Sequence, residues 1–186
     1  MQKLLLFMPK SARLITADEL EHMPGTDHGC ELVKGRLIRM SVGPDHGRIV
    51  VGFASMLHQH VKSRRLGDVM TEVGFTLEFD PDTVRAPDIA FIRRERTTRG
   101  HRGFLNGGPD LAVEVLSPDD RPGEVREKVD EYLAHGVVVV VVVDPDDKTV
   151  AVHRRLTPPA TLVEDDELDL DDVVTGFSCR VSEIFE

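Results

Sequence analysis

The chain has 186 residues, a length typical of one domain that buries its own core, and 40% of its residues are hydrophobic. Its formal net charge of −10 argues against general binding of nucleic acid, and the single tyrosine and absent tryptophan argue against a stacking platform for single-stranded bases. The charge is uneven: residues 1–110 hold 16 basic and 14 acidic side chains, whereas residues 111–186 hold 7 and 19.

Other features exclude export, membrane insertion and zinc chemistry. The apolar run Leu4–Met8 is shorter than the roughly 7–15 residues of an export signal. The valines at 137–143 are too few for a membrane helix of about 20 residues and predict a buried strand. Cys30 and Cys179 stand apart from other metal ligands, as expected of thiols without chemistry in a reducing cytoplasm. We expect residues 1–13 to form a loosely held arm and residues 14–186 to form a single domain.

The domain is predicted to begin with a short helix and a hairpin. Thr16-Ala-Asp-Glu19 is a capping box, which indicates a helix that ends near Met23. Residues 31–40 alternate around a central Lys-Gly pair and predict a β-hairpin. The candidates for buried positions in this hairpin are Leu32, Leu37 and Met40.

A long amphipathic helix follows, starting at Pro44. One apolar stripe with helical spacing supports it, formed by Ile49, Phe53, Leu57 and Val61. Arg64 and Arg65 suit the negative end of such a helix, and Gly67 is predicted to take the left-handed cap.

The second part of the chain alternates between strands and helices. We predict strands over residues 69–79, 85–92, 109–116 and 137–143, an antiparallel return over 148–155, a helix over 122–135, an exposed acidic stretch over 164–172, and a short helical turn near 185. The polar loop 93–108 holds five arginines: Arg93, Arg94, Arg96, Arg99 and Arg102. Such a run is more often a solvated loop than a binding surface, and both interpretations stay open.

Two acidic residues lie within short apolar runs of the predicted strands. Asp88 follows Pro87, and Glu114 is flanked by Val113 and Val115. A buried carboxylate is costly unless it is paired or binds a metal, and two of them on nearby strands could converge on one divalent cation. Taken singly, each is more often a strand-end acid in a salt bridge. No GxGxxG, GxxxxGK[ST] or GxSxG motif is present, which argues against the enzymes that those motifs mark.

Several stretches together resemble the Uma-type restriction-endonuclease family, formerly a domain of unknown function, within the PD-(D/E)-x-K nuclease superfamily. They are Glu31-Leu-Val-Lys-Gly35, Arg85-Ala-Pro-Asp88, the run from Pro109 to Pro118, Lys128 followed by Tyr132, and Gly136-Val137 ahead of Asp144-Pro145. The resemblance covers about residues 14–186. It implies an α/β (α+β), restriction-endonuclease-like fold, with a central mixed β-sheet flanked by helices and an N-terminal hairpin.

The resemblance also implies a metal-dependent nuclease site. Asp88 and Glu114 would bind Mg²⁺ or Mn²⁺ together with the backbone carbonyl of Val115. The cation would polarise the phosphodiester and activate water. The parent motif has a lysine two residues after the glutamate, but this chain has Leu116 there. Lys128 on the following helix is therefore the expected source of positive charge. The alternative interpretation of Lys128 is an exposed helix lysine that pairs with a neighbouring glutamate, Glu124 or Glu131.

Three more residues complete the expected site. Glu31 resembles the family's early acidic residue and would complete the metal shell or orient a water. The alternative interpretation of Glu31 is an acid at the end of a strand that pairs with Lys34 or Arg36. His46 and Arg85 are expected to contact the substrate, although His46 could equally cap the long helix. Asp110 is interpreted as a turn residue, and Ser117 as a supporting or capping group.

The expected activity is therefore hydrolysis of phosphodiester bonds in nucleic acid, with DNA as the substrate and a homodimer as the working form. Two alternatives remain open at this stage. One is a non-catalytic module that binds a partner or dimerises on the same fold, since a fold does not fix a function. The other is hydrolysis of a small phosphorylated molecule, for which weak polymer binding with little salt dependence is expected.

Overall fold

Mixed β-sheets flanked by helices form an α+β fold in the computed structural model, as predicted. The model describes residues 13–25, 29–40, 42–97 and 100–186, so the predicted arm, residues 1–13, lies almost wholly outside them. In these ranges the helices are α1 (Ala17–Glu21), α2 (Pro44–Arg64), α3 (Pro122–Ala134) and α4 (Val181–Phe185), with a 3₁₀ turn at Arg94–Arg96. The strands are β1 (Cys30–Val33), β2 (Arg36–Arg39), β3 (Gly67–Met70), β4 (Phe75–Glu78), β5 (Thr83–Arg85), β6 (Ile89–Arg93), β7 (Leu105–Asn106), β8 (Leu111–Val115), β9 (Val139–Asp144), β10 (Thr149–Arg154), β11 (Thr157–Leu162), β12 (Glu167–Asp169) and β13 (Ser178–Arg180).

The larger sheet has six strands in the order β11-β10-β9-β8-β6-β3, and only β8 and β9 run parallel. A five-stranded sheet, β2-β1-β5-β4-β7, contains the predicted N-terminal hairpin β1–β2. Leu32 on β1 is fully buried, whereas Leu37 and Met40 are half-buried because β2 is the edge strand. The capping box of α1 forms as predicted, with Thr16 and Glu19 each accepting the other's backbone N–H.

The valine run occupies a strand that is buried on both faces. Val139, Val141 and Val143 pack with α2, and Val140 and Val142 pack with α3 and the five-stranded sheet. Strands covered on both faces have continuous apolar runs, which explains the absence of alternation. Of the helices within the described residues, none combines the length and the apolar composition that a membrane crossing requires.

The end of α2 differs from the prediction. The helix buries the predicted stripe, but Arg65 takes the left-handed cap at φ 57°, with its N–H donating to the carbonyl of Lys62. Gly67 is already the first residue of β3, where a Cβ would overlap the carbonyl oxygen of Ile92 and lie 2.9 Å from the Phe91 ring. The glycine is therefore required for a close approach between strands and not for a cap.

Substitution of Gly67 tests this assignment. We expect Gly67→Ala to lower the free energy of unfolding by about 1–3 kcal/mol, because the added methyl must displace backbone. Gly52→Ala is the matched control: this glycine lies in the exposed middle of α2 with nothing near its missing Cβ, so alanine should stabilise by about 0.5–1 kcal/mol. Denaturant titration measures both. Equal effects of the two substitutions would contradict the packing of Gly67 against β6.

Two predicted strands are each divided between the two sheets. Residues 69–79 form the end of β3 and all of β4, because the chain turns at Glu72, which has φ 54°. Residues 85–92 contain the end of β5 and most of β6, and the interruption falls at Pro87, whose missing N–H cannot continue a ladder. Asp88 therefore lies where the chain passes from one sheet to the other, immediately before β6.

The C-terminal region follows the prediction more closely. All seven acids between 164 and 172 are exposed, although Leu168 and Leu170 between them are fully buried. The antiparallel return forms as β10, and the final helical turn forms as α4, which buries Val181 and Ile184 against α2.

Candidate active site

Asp88 and Glu114 meet because they lie at the same end of two paired strands. Strand β6 begins just after Asp88, and β8, which pairs antiparallel with it, ends just after Glu114. One oxygen of Asp88 accepts the backbone N–H of Val115 at 2.7 Å, which places its carboxylate beside the last residues of β8. Both side chains are buried, with Asp88 6% and Glu114 8% exposed.

Two residues of α3 hold the carboxylate of Glu114. Lys128 and Tyr132 are four positions apart and therefore share one helix face. The Lys128 ammonium donates to Oε2 of Glu114 at 2.7 Å, and the Tyr132 hydroxyl donates to Oε1 at 2.7 Å. Burial and the charge of Glu114 raise the pKa of Tyr132 well above its ordinary value, so the hydroxyl keeps the proton that it donates.

Glu31 on β1 contacts the same lysine. Its Oε1 lies 3.0 Å from the Lys128 ammonium and accepts the N–H of Ala86 at 3.0 Å, and its Oε2 accepts from Arg85 at 2.9 Å. The structure thus brings Glu31, Glu114 and Lys128 together, and its geometry does not show the alternative pairings of Glu31 with Lys34 or Arg36.

Arg85 bridges Glu31 and Glu131. Its Nε and Nη2 each lie 2.7 Å from Oε2 of Glu131, and its side chain is 7% exposed. In this arrangement Arg85 fixes two carboxylates, and one of them, Glu31, contacts Lys128. The geometry favours a positioning role for Arg85, while the expected contact with substrate has no support in these bonds.

His46 lies in the first turn of α2 and reaches Asp88. Its Nε2 is 3.1 Å from Oδ1 of Asp88, and the side chain is 7% exposed. Burial alone would lower the pKa of His46, but the hydrogen bond and charge of Asp88, together with the charges of Glu114 and Asp120, raise it. Among the buried side-chain nitrogen and oxygen atoms of the described residues, only Nδ1 of His46 has no hydrogen-bond partner. His46 is thus part of the site wall and not a simple helix cap.

We call the following set the buried charge cluster: Glu31, Arg85, Asp88, Glu114, Lys128 and Glu131. It contains four carboxylates and two permanent cations, so it carries excess negative charge even when Lys128 and Arg85 are fully ionised. Burial would lower the pKa of Lys128, but the charges of Glu114 and Glu31 raise it above its ordinary value.

Among the carboxylates of the cluster, Glu114 and Glu31 respond to this environment in opposite directions. Burial would raise the pKa of Glu31, yet Lys128, Arg85 and the Ala86 N–H bring it below its ordinary value. Glu114 has fewer such donors. Burial, together with the charges of Asp88 and Glu31, raises its pKa to about 7 against the opposing effect of Lys128.

The chemistry of this donor set fits a hard divalent cation. Mg²⁺ is commonly bound by one or two carboxylates plus water, and Asp88 and Glu114 supply two adjacent carboxylates with unused lone pairs. A cation there would also offset the excess negative charge of the cluster. The described residues contain no group of three or more His, Cys, Asp or Glu side chains placed to bind a metal, so any third protein ligand would be a backbone carbonyl such as that of Val115.

Other candidates lie away from the cluster. Asp110 is buried and accepts the N–H of Arg93 at 2.9 Å and a bond from the Arg96 guanidinium at 3.1 Å, so it anchors the turn after β6. The N–H of Ser117 donates to Asp120 at 2.7 Å, and together they close the turn that leads to α3. Within the arginine-rich loop, Arg93 and Arg96 thus serve structural bonds, and Arg99 lies outside the described residues.

Sequence reasoning gave no role to Tyr132 or to the Arg85–Glu131 pair. The spacing of Lys128 and Tyr132 on one helix was a usable signal for the tyrosine. Glu131 was considered only as a partner of Lys128. Its true partner, Arg85, is 46 positions away in sequence, so no local pattern could have indicated the pair.

Comparison with known proteins identifies the family and supports the fold. A family model described as "Uma2: Putative restriction endonuclease" matches residues 17–182. The chain is similar to a solved structure described as a "putative nuclease belonging to DUF820" from Anabaena variabilis ATCC 29413, with 25% sequence identity and a TM-score of 0.80. That similarity covers 92% of this chain and 97% of the other. No curated protein gives a significant match.

Proposed function

Because the chain belongs to the Uma2 family, described as "Putative restriction endonuclease", we propose that it is a divalent-cation-dependent endonuclease that hydrolyses phosphodiester bonds in DNA. Family membership and the solved relative support a nuclease-like function. The observation that carries the finer proposal is the adjacent buried pair of Asp88 and Glu114, with the Lys128 ammonium 2.7 Å from Glu114.

Each residue then has a role that follows from its contacts. Asp88 and Glu114, with the carbonyl of Val115, would hold Mg²⁺ or Mn²⁺. When bound, the cation would polarise a phosphoryl oxygen and lower the pKa of the attacking water. Lys128 supplies a fixed positive charge beside the site where negative charge develops on the phosphate. Glu31 and Tyr132 hold Lys128 and Glu114 in place, because the cluster shares one continuous set of hydrogen bonds.

His46 and a dimeric assembly are two further parts of this proposal. His46 fixes Asp88 through Nε2, so it would orient one of the two metal-binding carboxylates. A homodimer would present two such sites, one for each strand of a duplex. Cleavage of both strands by a protein that sediments as a monomer with and without DNA would contradict that part of the proposal.

Metal titration by calorimetry tests the central claim. We expect the wild type to bind Mn²⁺. The affinity of the Asp88→Asn/Glu114→Gln double variant should be lower by roughly 100-fold or more, because changes around a metal site commonly cost up to about this factor. Both substitutions keep the side-chain shape, so the fold should persist. Cleavage of plasmid DNA that requires Mg²⁺ or Mn²⁺ and stops with a chelator is the accompanying result.

Asp110→Asn is the matched control, because Asp110 is equally buried but bonds only to the turn after β6. It should bind Mn²⁺ as the wild type does. Equal binding by the double variant and the wild type would place the metal elsewhere and overturn the proposed site. DNA binding without any cleavage would support the non-catalytic alternative instead.

A further inference from the structure

A cationic cleft lies at the C-terminal end of α2, outside the buried charge cluster. Its volume is about 670 Å³, and it is enclosed by α2, the start of β3 and the 3₁₀ turn. The charged side chains that line it are His58, Lys62, Arg65, Asp68 and Arg94. Lys62, Arg65 and Arg94 are exposed, so their charges face solvent.

The charge of this cleft contrasts with that of the whole protein. Three permanent cations and a histidine line it against one acid, Asp68, on a chain whose formal net charge is −10. A polyanion is repelled by most of such a surface and is attracted where cations gather in a concave region, because a cleft focuses the field. The cleft therefore differs from the rest of the surface in the charge that it presents to a polyanion.

The cleft and the buried charge cluster lie at opposite ends of one helix. His46 in the first turn of α2 contacts Asp88, whereas Lys62 and the cap residue Arg65 line the cleft. Strand β6 joins the same two places by a shorter path, because Asp88 lies just before it and Arg94 just after it. At about 3.3 Å per residue, these two residues are at most about 20 Å apart. Strand β3, which forms one wall of the cleft, is also the open edge of the six-stranded sheet, so a long ligand has access along this side.

We propose that the cleft formed by Lys62, Arg65 and Arg94 binds the phosphodiester backbone of duplex DNA about six base pairs from the bond that is cut. This inference rests on the proposed function, since it assumes that the same duplex occupies the cluster at the other end of α2. The spacing follows from the separation of about 20 Å and from about 3.4 Å per base pair.

The acidic stretch of a second copy is a less suitable occupant. All seven of its acids are exposed, but Leu168 and Leu170 are fully buried and β12 within it pairs with β13. Asp172 is also held by Arg154 at 2.7 Å. The stretch is therefore folded onto its own chain, and its one strand is already paired with β13, whereas a duplex backbone presents phosphates at regular spacing.

Salt-dependent DNA binding tests the proposal independently of catalysis. Fluorescence anisotropy with a labelled duplex of about 24 base pairs, long enough for the spacing above, in the presence of a chelator, compares the wild type with Lys62→Gln/Arg65→Gln/Arg94→Gln. We expect the slope of log affinity against log salt to fall by about 0.9 for each phosphate that the variant no longer neutralises, and the affinity near 0.1 M salt to fall on the order of 10²-fold.

The control variant, Arg36→Gln/Lys148→Gln/Arg155→Gln, removes the same number of positive charges, three, from exposed positions outside the cleft. It should bind with the slope of the wild type. Equal losses of affinity in the two triple variants would mean that only net charge matters and would overturn the proposal. A changed sedimentation coefficient of the cleft variant with unchanged DNA binding would make the cleft an interface between copies, which also overturns it.

The two proposals fail in different ways. If the wild-type protein binds DNA through the cleft but never cleaves it, the proposed nuclease function is wrong and the proposed DNA-binding cleft stands. If cleavage is metal-dependent but the wild type and the cleft variant bind DNA equally, the proposed role of the cleft is wrong and the proposed nuclease function stands. A wild type that binds no duplex even at low salt overturns the cleft and the DNA substrate together.

Discussion

Asp88→Asn is expected to lower the rate of metal-dependent DNA cleavage by at least about 10²–10³-fold, the loss typical of removing one group that stabilises transition-state charge. Asparagine keeps the size of the side chain, and its carbonyl oxygen can still accept the Val115 N–H. Its NH₂ group would face Nε2 of His46, which can accept that bond in the other tautomer. The fold should therefore persist while the negative charge that attracts a divalent cation is removed.

The measurement is the single-turnover cleavage rate at saturating Mg²⁺, with circular dichroism to confirm folding. Asp110→Asn is again the matched control, since it removes a buried carboxylate outside the cluster and should retain the specific activity of the folded protein. An Asp88→Asn variant that cleaves within a few-fold of the wild type would show that catalysis uses other residues, even if the protein proves to be a nuclease.

The meeting of Asp88 and Glu114 was predictable from the sequence because it depends on local patterns. Short apolar runs indicated buried strands, and an acid inside such a run needs a partner or a metal. The antiparallel pairing of β6 with β8 then brings the start of one strand to the end of the other. That Lys128 lies beside Glu114 followed from the resemblance, and α3 forms over nearly the predicted range.

The division of the strands between two sheets was not predictable from apolar runs. Residues 69–79 were predicted as one strand because a run of apolar and β-branched residues gives no sign of a turn at Glu72, a non-glycine residue with positive φ. Pro87 was a visible signal, since proline is confined to edges and interruptions of strands. Recognising it would have placed Asp88 before β6 instead of within a strand.

The ion pairs of Arg85 were beyond sequence reasoning for a different reason. Glu31 and Arg85 are 54 positions apart, and Arg85 and Glu131 are 46 apart, so their contact depends on how the five-stranded sheet packs against α3. Burial of an arginine in that interface requires carboxylates nearby, yet the chain has 33 acidic residues from which to choose. Packing between elements, and not the pattern within any one of them, selects the partners.

Lys128→Met is expected to lower the free energy of unfolding by about 3–5 kcal/mol, because removing one partner of a buried ion pair leaves uncompensated charge. The Lys128 ammonium serves both Glu114, at 2.7 Å, and Glu31, at 3.0 Å, and methionine supplies bulk without charge. Adding Glu114→Gln should restore part of the stability, since Glu114 loses its cationic partner whereas Glu31 keeps Arg85. Cleavage activity should remain low in both variants, because neither restores the positive charge of the lysine.

Lys148→Met is the matched control for this comparison. Lys148 also forms an ion pair, with Glu164 at 3.0 Å, but both side chains are about half exposed. An exposed pair of this kind contributes about 0–1 kcal/mol, so its removal should be barely measurable by denaturant titration. If the two methionine variants are destabilised to a similar extent, then Lys128 is solvated in solution and the cluster is not a buried network. If Lys128→Met is far less stable but still cleaves DNA at the wild-type rate, the lysine stabilises the fold and has no part in catalysis.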